Sequence, residues 1–201
     1  IITDRKYELT GTKDHKIDVI NNDGYITVKT INDLTTDDYI VINKNMNIFG
    51  DNLKLPSHWE VNTDALDVRT KILTYPHELT LSFARFLGYM VADGTLCKCG
   101  LKYGKNHKNV VDDFNAVVNK IFKYPIKEPK NVLPNGKLGG MYLSEINSKY
   151  IKSFCDKIEG IQTNNKFVPQ CILTAPKKYQ IEFLRSVFED GSVCIKNNKF
   201  D

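Results

Sequence analysis

Phe86-Leu-Gly-Tyr-Met-Val-Ala-Asp-Gly94 is an apolar run at helical spacing that stops at an Asp-Gly pair. Phe183-Leu-Arg-Ser-Val-Phe-Glu-Asp-Gly191 repeats the plan about a hundred residues further on. Glycine after a helix is ordinary, because it tolerates the left-handed conformation that often ends one. An acid just before it is less ordinary, since an anion at a helix C-terminus opposes the helix dipole. Packing the apolar faces of two such helices together would set two carboxylates side by side. Like charges at that range repel unless a cation lies between them.

Working outward from 86–94, the spacing of Leu79, Phe83, Phe86, Leu87 and Met90 predicts a helix over 78–93, starting at His77 or Thr80. Residues 95–111 alternate Leu, Lys and Tyr around Gly100 and Gly104, as in a long two-stranded ribbon. A helix over 112–122 follows, with Phe114, Val117, Val118 and Ile121 on one side. A hairpin over 130–143 turns at Asn135-Gly136, and a helix covers 148–158. The order is helix, two strands, helix, two strands, helix, and the unit restarts at Lys177.

Both Asp-Gly stretches resemble the signature of LAGLIDADG homing endonucleases. Gly88, Ala92, Asp93 and Gly94 fall at the motif's positions. In the second copy, counting back from Asp190-Gly191 puts Arg185 where a small residue belongs. Placing Ser186 there requires a one-residue deletion, which leaves two registers open and with them the roles of Glu189 and Asp190. The resemblance implies double-strand cleavage of DNA, with two or more Mg²⁺ ions shared between Asp93 and Asp190. Phosphodiester hydrolysis needs an activated water and stabilised charge on both attacking and leaving oxygens, which carboxylate-held metal ions supply. The plainer reading is that each Asp only solvates a helix end.

Asn165-Lys-Phe-Val-Pro-Gln-Cys-Ile172 resembles the block that precedes the second helix in intein-borne members of the family. It implies that Lys166 assists catalysis by orienting water or stabilising charge at the phosphate. In the ribbon, Lys98, Lys102, Tyr103, Lys105 and Lys108, with His107, are candidate DNA-binding residues, since a two-stranded ribbon fits the major groove and lysines neutralise phosphates. An edge hairpin protected by lysines would read the same way.

Residues 1–45 predict short strands at 7–10, 17–20, 25–30 and 39–42, with a turn at Asn22-Asp23-Gly24. Gly11-Thr-Lys-Asp-His-Lys-Ile17, with the downstream strands, resembles the second conserved block of inteins. There the histidine protonates the scissile amide nitrogen and the threonine helps to hold the peptide, which assigns assisting roles to His15 and Thr12. The expected architecture is α+β. An all-β Hint-like segment (1–45) and a polar linker (46–75) precede a LAGLIDADG domain (76–201) of αββαββα repeats, the first over 76–160 and a truncated second over 161–201. Inteins begin with Cys or Ser and end with His-Asn, whereas this chain runs from Ile1 to Asp201. It is therefore expected to be an internal piece that does not splice alone, its flanking host segments (exteins) being partners of the longer form.

Composition bounds these expectations. Among 201 residues the net charge is +4, which permits nucleic-acid binding without requiring it. Residues 95–131 hold eight Lys against Asp112, Asp113 and Glu128, a local +5, so the remainder is close to neutral. Five cysteines without framework spacing point to a reducing, intracellular compartment, cytoplasmic or nuclear. Cys97 and Cys99 suit one strand face better than a zinc site. The absence of a run of about 20 apolar residues predicts a soluble protein with no membrane partner. Two rival functions remain: a degenerate LAGLIDADG protein that binds nucleic acid without cutting, and an element in which only splicing is active.

Overall fold

The Thr80 hydroxyl accepts a hydrogen bond from the Phe83 amide at 3.1 Å, and this cap starts helix α1 (Leu81–Ala92) in the computed structural model of the chain. The structure describes residues 1–42, 48–66, 69–132, 139–189, 195–196 and 199–200. It is mixed α+β, with five α-helices and small antiparallel sheets among the described residues, and it divides into two units, Ile1–Ile48 and Phe49–Asp201.

In the first unit, β1 (Lys16–Ile20) pairs with β2 (Ile26–Thr30) on one side and β3 (Tyr39–Ile40) on the other. The Asn21 side chain accepts from the amides of Asp23 and Tyr25, and Gly24 takes φ +84°, so the Asn-Asp-Gly signal forms the expected hairpin turn. The strand expected at 7–10 is reduced to an isolated bridge between Ile2 and Glu8. Val19 is the one buried hydrophobic residue among those described here, while Tyr25, Ile26, Val28 and Tyr39 are exposed.

The second unit is built around α1, which is apolar on almost every side: Phe83, Ala84, Phe86, Leu87, Gly88, Tyr89 and Met90 are all buried. A helix hydrophobic all round must be interior. Its side chains form the centre of the unit's core. The sheet runs β4 (Thr95–Cys97), β5 (Gly100–Lys105), β7 (Met141–Ile146), β6 (Lys130–Val132), all antiparallel. Helix α2 (Lys108–Phe122) lies over it, placing Phe114 against Tyr103 with ring centroids 4.5 Å apart. Helix α3 (Lys149–Cys155), capped by Ser148, adds Phe154 to the same aromatic cluster. Then come the short hairpin β8 (Ile161–Gln162) and β9 (Asn165–Lys166), the single turn α4 (Gln170–Leu173), and α5 (Lys177–Val187), which packs on α1. Residues 195–196 and 199–200 pair as a last hairpin.

Three expectations need correction. Helix α2 begins at Lys108, four residues before the expected start, so Lys108 lies in its first turn and not in the ribbon. The ribbon itself is two strands of a four-stranded sheet. The stretch read as a linker is structured by the second unit: Leu79 donates to the Leu53 carbonyl at 2.7 Å, and Trp59 and Leu73 are buried in the core. The hairpin turn at Asn135-Gly136 lies outside the described residues.

Candidate active site

The close crossing of α1 and α5 fixes the geometry at the helix ends. A Cβ on Gly88 would overlap Ser186 Oγ and the Phe183 carbonyl oxygen, so glycine is what permits this approach. Ser186 is 1% exposed, while Arg185 points outward and pairs with Glu182 at 2.5 Å. The small residue opposite Gly88 is therefore Ser186. Gly94 is required for space as well: it is buried, and a Cβ there would run into Met90. Its φ is not positive, contrary to the left-handed ending that Asp-Gly suggests.

Asp93 is the C-cap of α1, with its amide bonded to the Tyr89 carbonyl and its side chain 51% exposed. Two lysines from distant parts of the chain converge on it. Lys166 Nζ donates to the carbonyl oxygens of Ala92 (3.2 Å) and Gly94 (2.8 Å), the residues on either side of Asp93. A cation at helix C-terminal carbonyls complements the dipole that Asp93 opposes. Burial lowers the pKa of Lys166 below the ordinary lysine value, and the Asp93 charge pulls the other way. Lys105 Nζ contacts Asp93 Oδ2 at 2.6 Å, with its side chain 11% exposed.

Strand alternation explains why Lys105 is there. Side chains on β5 alternate faces; Leu101, Tyr103 and Lys105 share the helix-covered face, opposite Ile146, Ser144 and Tyr142 of β7. Lys102 takes the other face, where it pairs with Glu145 at 2.7 Å. Lys130 joins the same carboxylate at 2.6 Å, and the hydrogen bonds from Lys102 and Lys130 hold the Glu145 pKa down to about 2. The five residues assigned to DNA are thus dispersed. Tyr103 is removed from that list, because its ring is buried between Tyr89 and Phe114. Lys108, at the start of α2, holds Asp112 of that helix at 2.8 Å and Glu128, beyond its end, at 3.4 Å. Lys98 is exposed at the β4–β5 turn, and Lys102 is on the uncovered sheet face.

Asp190 lies outside the described residues. Its neighbour Glu189 is turned toward Arg85 NH2 at 3.4 Å. Arg85 is the centre of a cluster missed in the sequence: its Nε donates to Asp113 at 2.7 Å, its NH1 to Glu182 at 3.5 Å and its NH2 to the Tyr89 hydroxyl at 3.2 Å, and that hydroxyl donates to Asp113 at 2.6 Å. The cluster joins α1, α2 and α5. The signal available in sequence was Arg85 and Tyr89 four residues apart on an otherwise apolar helix.

Metal fit rests on Asp93. Its carboxylate already accepts a cationic group at close range, and its exposed side leaves room for water and phosphate oxygens, which Mg²⁺ prefers as most of its ligands. Among the described residues no three His, Cys, Asp or Glu side chains gather into a fuller metal-holding group. In the first unit, Thr12 and His15 share one exposed turn, in which the His15 amide donates to the Thr12 carbonyl at 3.1 Å. The Thr12 side chain also hydrogen-bonds Asp14, lowering that carboxyl's pKa. No helix among the described residues is long and apolar enough to cross a membrane. No protein-family model matches the chain, and comparison with curated proteins returns no match.

Proposed function

We propose that the second unit is a site-specific, Mg²⁺-dependent DNA endonuclease of the LAGLIDADG kind, carried by an intein-type element whose Hint-like β segment is the first unit. The observation that carries this reading is Lys166 bound to the carbonyls of Ala92 and Gly94. Two segments more than seventy residues apart in the chain thus meet at the C-terminal end of α1. Asp93 and Asp190 are the proposed metal ligands, and double-stranded DNA is the substrate.

Bound at Asp93, Mg²⁺ would acidify a water and neutralise charge on the oxygens of the scissile phosphate. Lys166 has three donors, of which two hold the α1 terminus in place. The third is directed to a water or phosphate oxygen, where a partly desolvated ammonium offsets developing negative charge. Lys102 and Lys98, on the uncovered sheet face and its turn, neutralise backbone phosphates. Glu189 is held by Arg85, and Asp190 is the second acid proposed for metal.

The test is to incubate the intact protein with a plasmid library of randomised targets in Mg²⁺. A narrow set of linearised sequences is expected, with none in EDTA. A second reading, a nucleic-acid binder that does not cut, is favoured by one observation: Asp93 is already neutralised by Lys105. It predicts gel retardation of DNA with no metal-dependent break.

A further inference from the structure

We propose that Cys97 and Cys99 form a reversible thiol–disulfide pair at the β4–β5 turn, a covalent modification site that exchanges with low-molecular-weight disulfides. The strand register pairs Cys97 with Gly100, so Lys98 and Cys99 make a two-residue turn. Residues two apart are separated by at most about 7 Å even in an extended chain. A disulfide takes Cα atoms roughly 4.4–6.8 Å apart, a span that folding back at a turn favours. The base of this turn is firm. A Cβ on Gly100 would overlap the Ile146 carbonyl oxygen, and the Leu96 amide donates to Thr163 Oγ1 at 3.2 Å.

The two thiols differ in access, which sets the order of events. Cys99 is exposed and Cys97 partly covered, whereas Cys155 and Cys171 are buried. Reactive cysteines sit in accessible, electropositive surroundings. Here the exposed Lys98 separates the two cysteines in sequence, and Cys97 lies near enough to Lys102 to act on its charge. The Cys97 thiol makes a weak donation to the Thr95 carbonyl at 3.9 Å, which it can give up. The Cys99 thiolate attacks one sulfur of the small disulfide, forming a mixed disulfide and releasing one half as a thiol. The Cys97 thiolate then attacks the Cys99 sulfur, closing the Cys97–Cys99 bond and releasing the second half. The chain gives up two electrons and two protons, which the small disulfide takes up as two thiols. A disulfide closed across one residue on an exposed turn is of the readily reduced kind, so excess small thiol opens it again. This chemistry is independent of DNA cleavage.

The experiment incubates the intact native protein with oxidised glutathione at neutral pH, in wild type, Cys97→Ser and Cys194→Ser. Free thiols are then blocked with N-ethylmaleimide in acid, and tryptic peptides are read by mass spectrometry. Wild type is expected to yield Phe86–Lys98 joined to Cys99–Lys102, or uncut Phe86–Lys102 lighter by a pair of hydrogens, with no maleimide on either cysteine. Dithiothreitol should restore both thiols. Cys97→Ser is expected to stop at the Cys99–glutathione mixed disulfide, at about tenfold or more its wild-type level, because the second attack is intramolecular. Cys194 lies outside the described residues, and Cys194→Ser is expected to behave as wild type. Should Cys97→Ser fail to fold, Cys97→Ala carries the same prediction. In wild type, a Cys99 that stays glutathionylated beside a maleimide-blocked Cys97, that joins Cys194 or a second chain, or that does not react overturns the proposal.

Discussion

Gly88 faces Ser186 where α1 crosses α5, and nothing larger than a hydrogen fits on the Gly88 side of that contact. The Ser186 hydroxyl donates to the Phe183 carbonyl at 2.9 Å, so its polar atom is satisfied within its own helix although the residue is buried. This contact sets how near the two helix ends come, and through them the spacing of any groups that act together there.

Gly88→Ala should destabilise the protein by about 1–3 kcal/mol, the usual cost of overpacking a closed interface, despite alanine's better helix propensity. Chemical denaturation would show a lower midpoint with an unchanged slope. A gain in stability would mean that the crossing is looser than described.

Arg85 holds Asp113, Glu182 and Glu189 around one guanidinium that is itself 19% exposed. Arg85→Met removes this cation from Asp113 and Glu189 and leaves Glu182 with Arg185 alone; it is expected to cost about 2 kcal/mol, below the range for fully buried pairs because the acids are partly solvated. Tyr89→Phe removes only the hydroxyl bond to Asp113 and should cost about 1 kcal/mol. If the two substitutions act through one network, the double variant will cost less than the sum.

Glu145 bridges Lys102 and Lys130, and its pKa is lowered from 4.5 to about 2. A carboxyl with a depressed folded-state pKa contributes stability above its unfolded value, and the contribution fades as pH falls toward the folded value. Wild type should therefore lose this increment between about pH 5 and pH 2. Glu145→Gln, less stable by under about 1 kcal/mol at neutral pH, should show a correspondingly shallower acid slope. Equal slopes in urea titrations across that range would show that the bridge contributes nothing.

Burial raises the thiol pKa of Cys155 and pushes that of Cys171 up to about 12, while Cys99 is exposed at the β4–β5 turn. Alkylation follows the thiolate and its accessibility. Iodoacetamide at pH 8 should label Cys99 in the native protein and spare Cys155 and Cys171 until denaturant is added. Mass spectrometry of tryptic peptides reads this directly.

What the sequence made legible was what local rules decide. The α1 periodicity and its Thr80 cap predicted a helix over 78–93, against Leu81–Ala92 observed, and Asn22-Asp23-Gly24 made its hairpin. Side-chain direction was legible only in part. A run of lysines within 98–108 reads as one basic surface, yet the turn at Lys98 and Cys99 sets the strand phase, and that phase sends Lys105 inward to Asp93 and Lys102 outward to Glu145. Tyr103 followed Lys105 to the covered face for the same reason. Residues 49–75 lack any period because their burial comes from tertiary contacts, such as Trp59 Nε1 donating to Glu159 at 3.2 Å across a hundred residues of chain. That Ser186 and not Arg185 faces Gly88 is decided by packing volume, a property that neither residue displays in isolation.

The central claim places the chemistry at Asp93. The direct measurement is metal-dependent breakage of target plasmid by the intact protein and by its Asp93→Asn variant, alongside DNA binding by gel retardation. Asp93→Asn is expected to retain binding within about threefold while losing cleavage by three orders of magnitude or more, a loss on the scale of about 4 kcal/mol in the barrier. Cleavage that persists in Asp93→Asn at a rate near wild type would contradict the account.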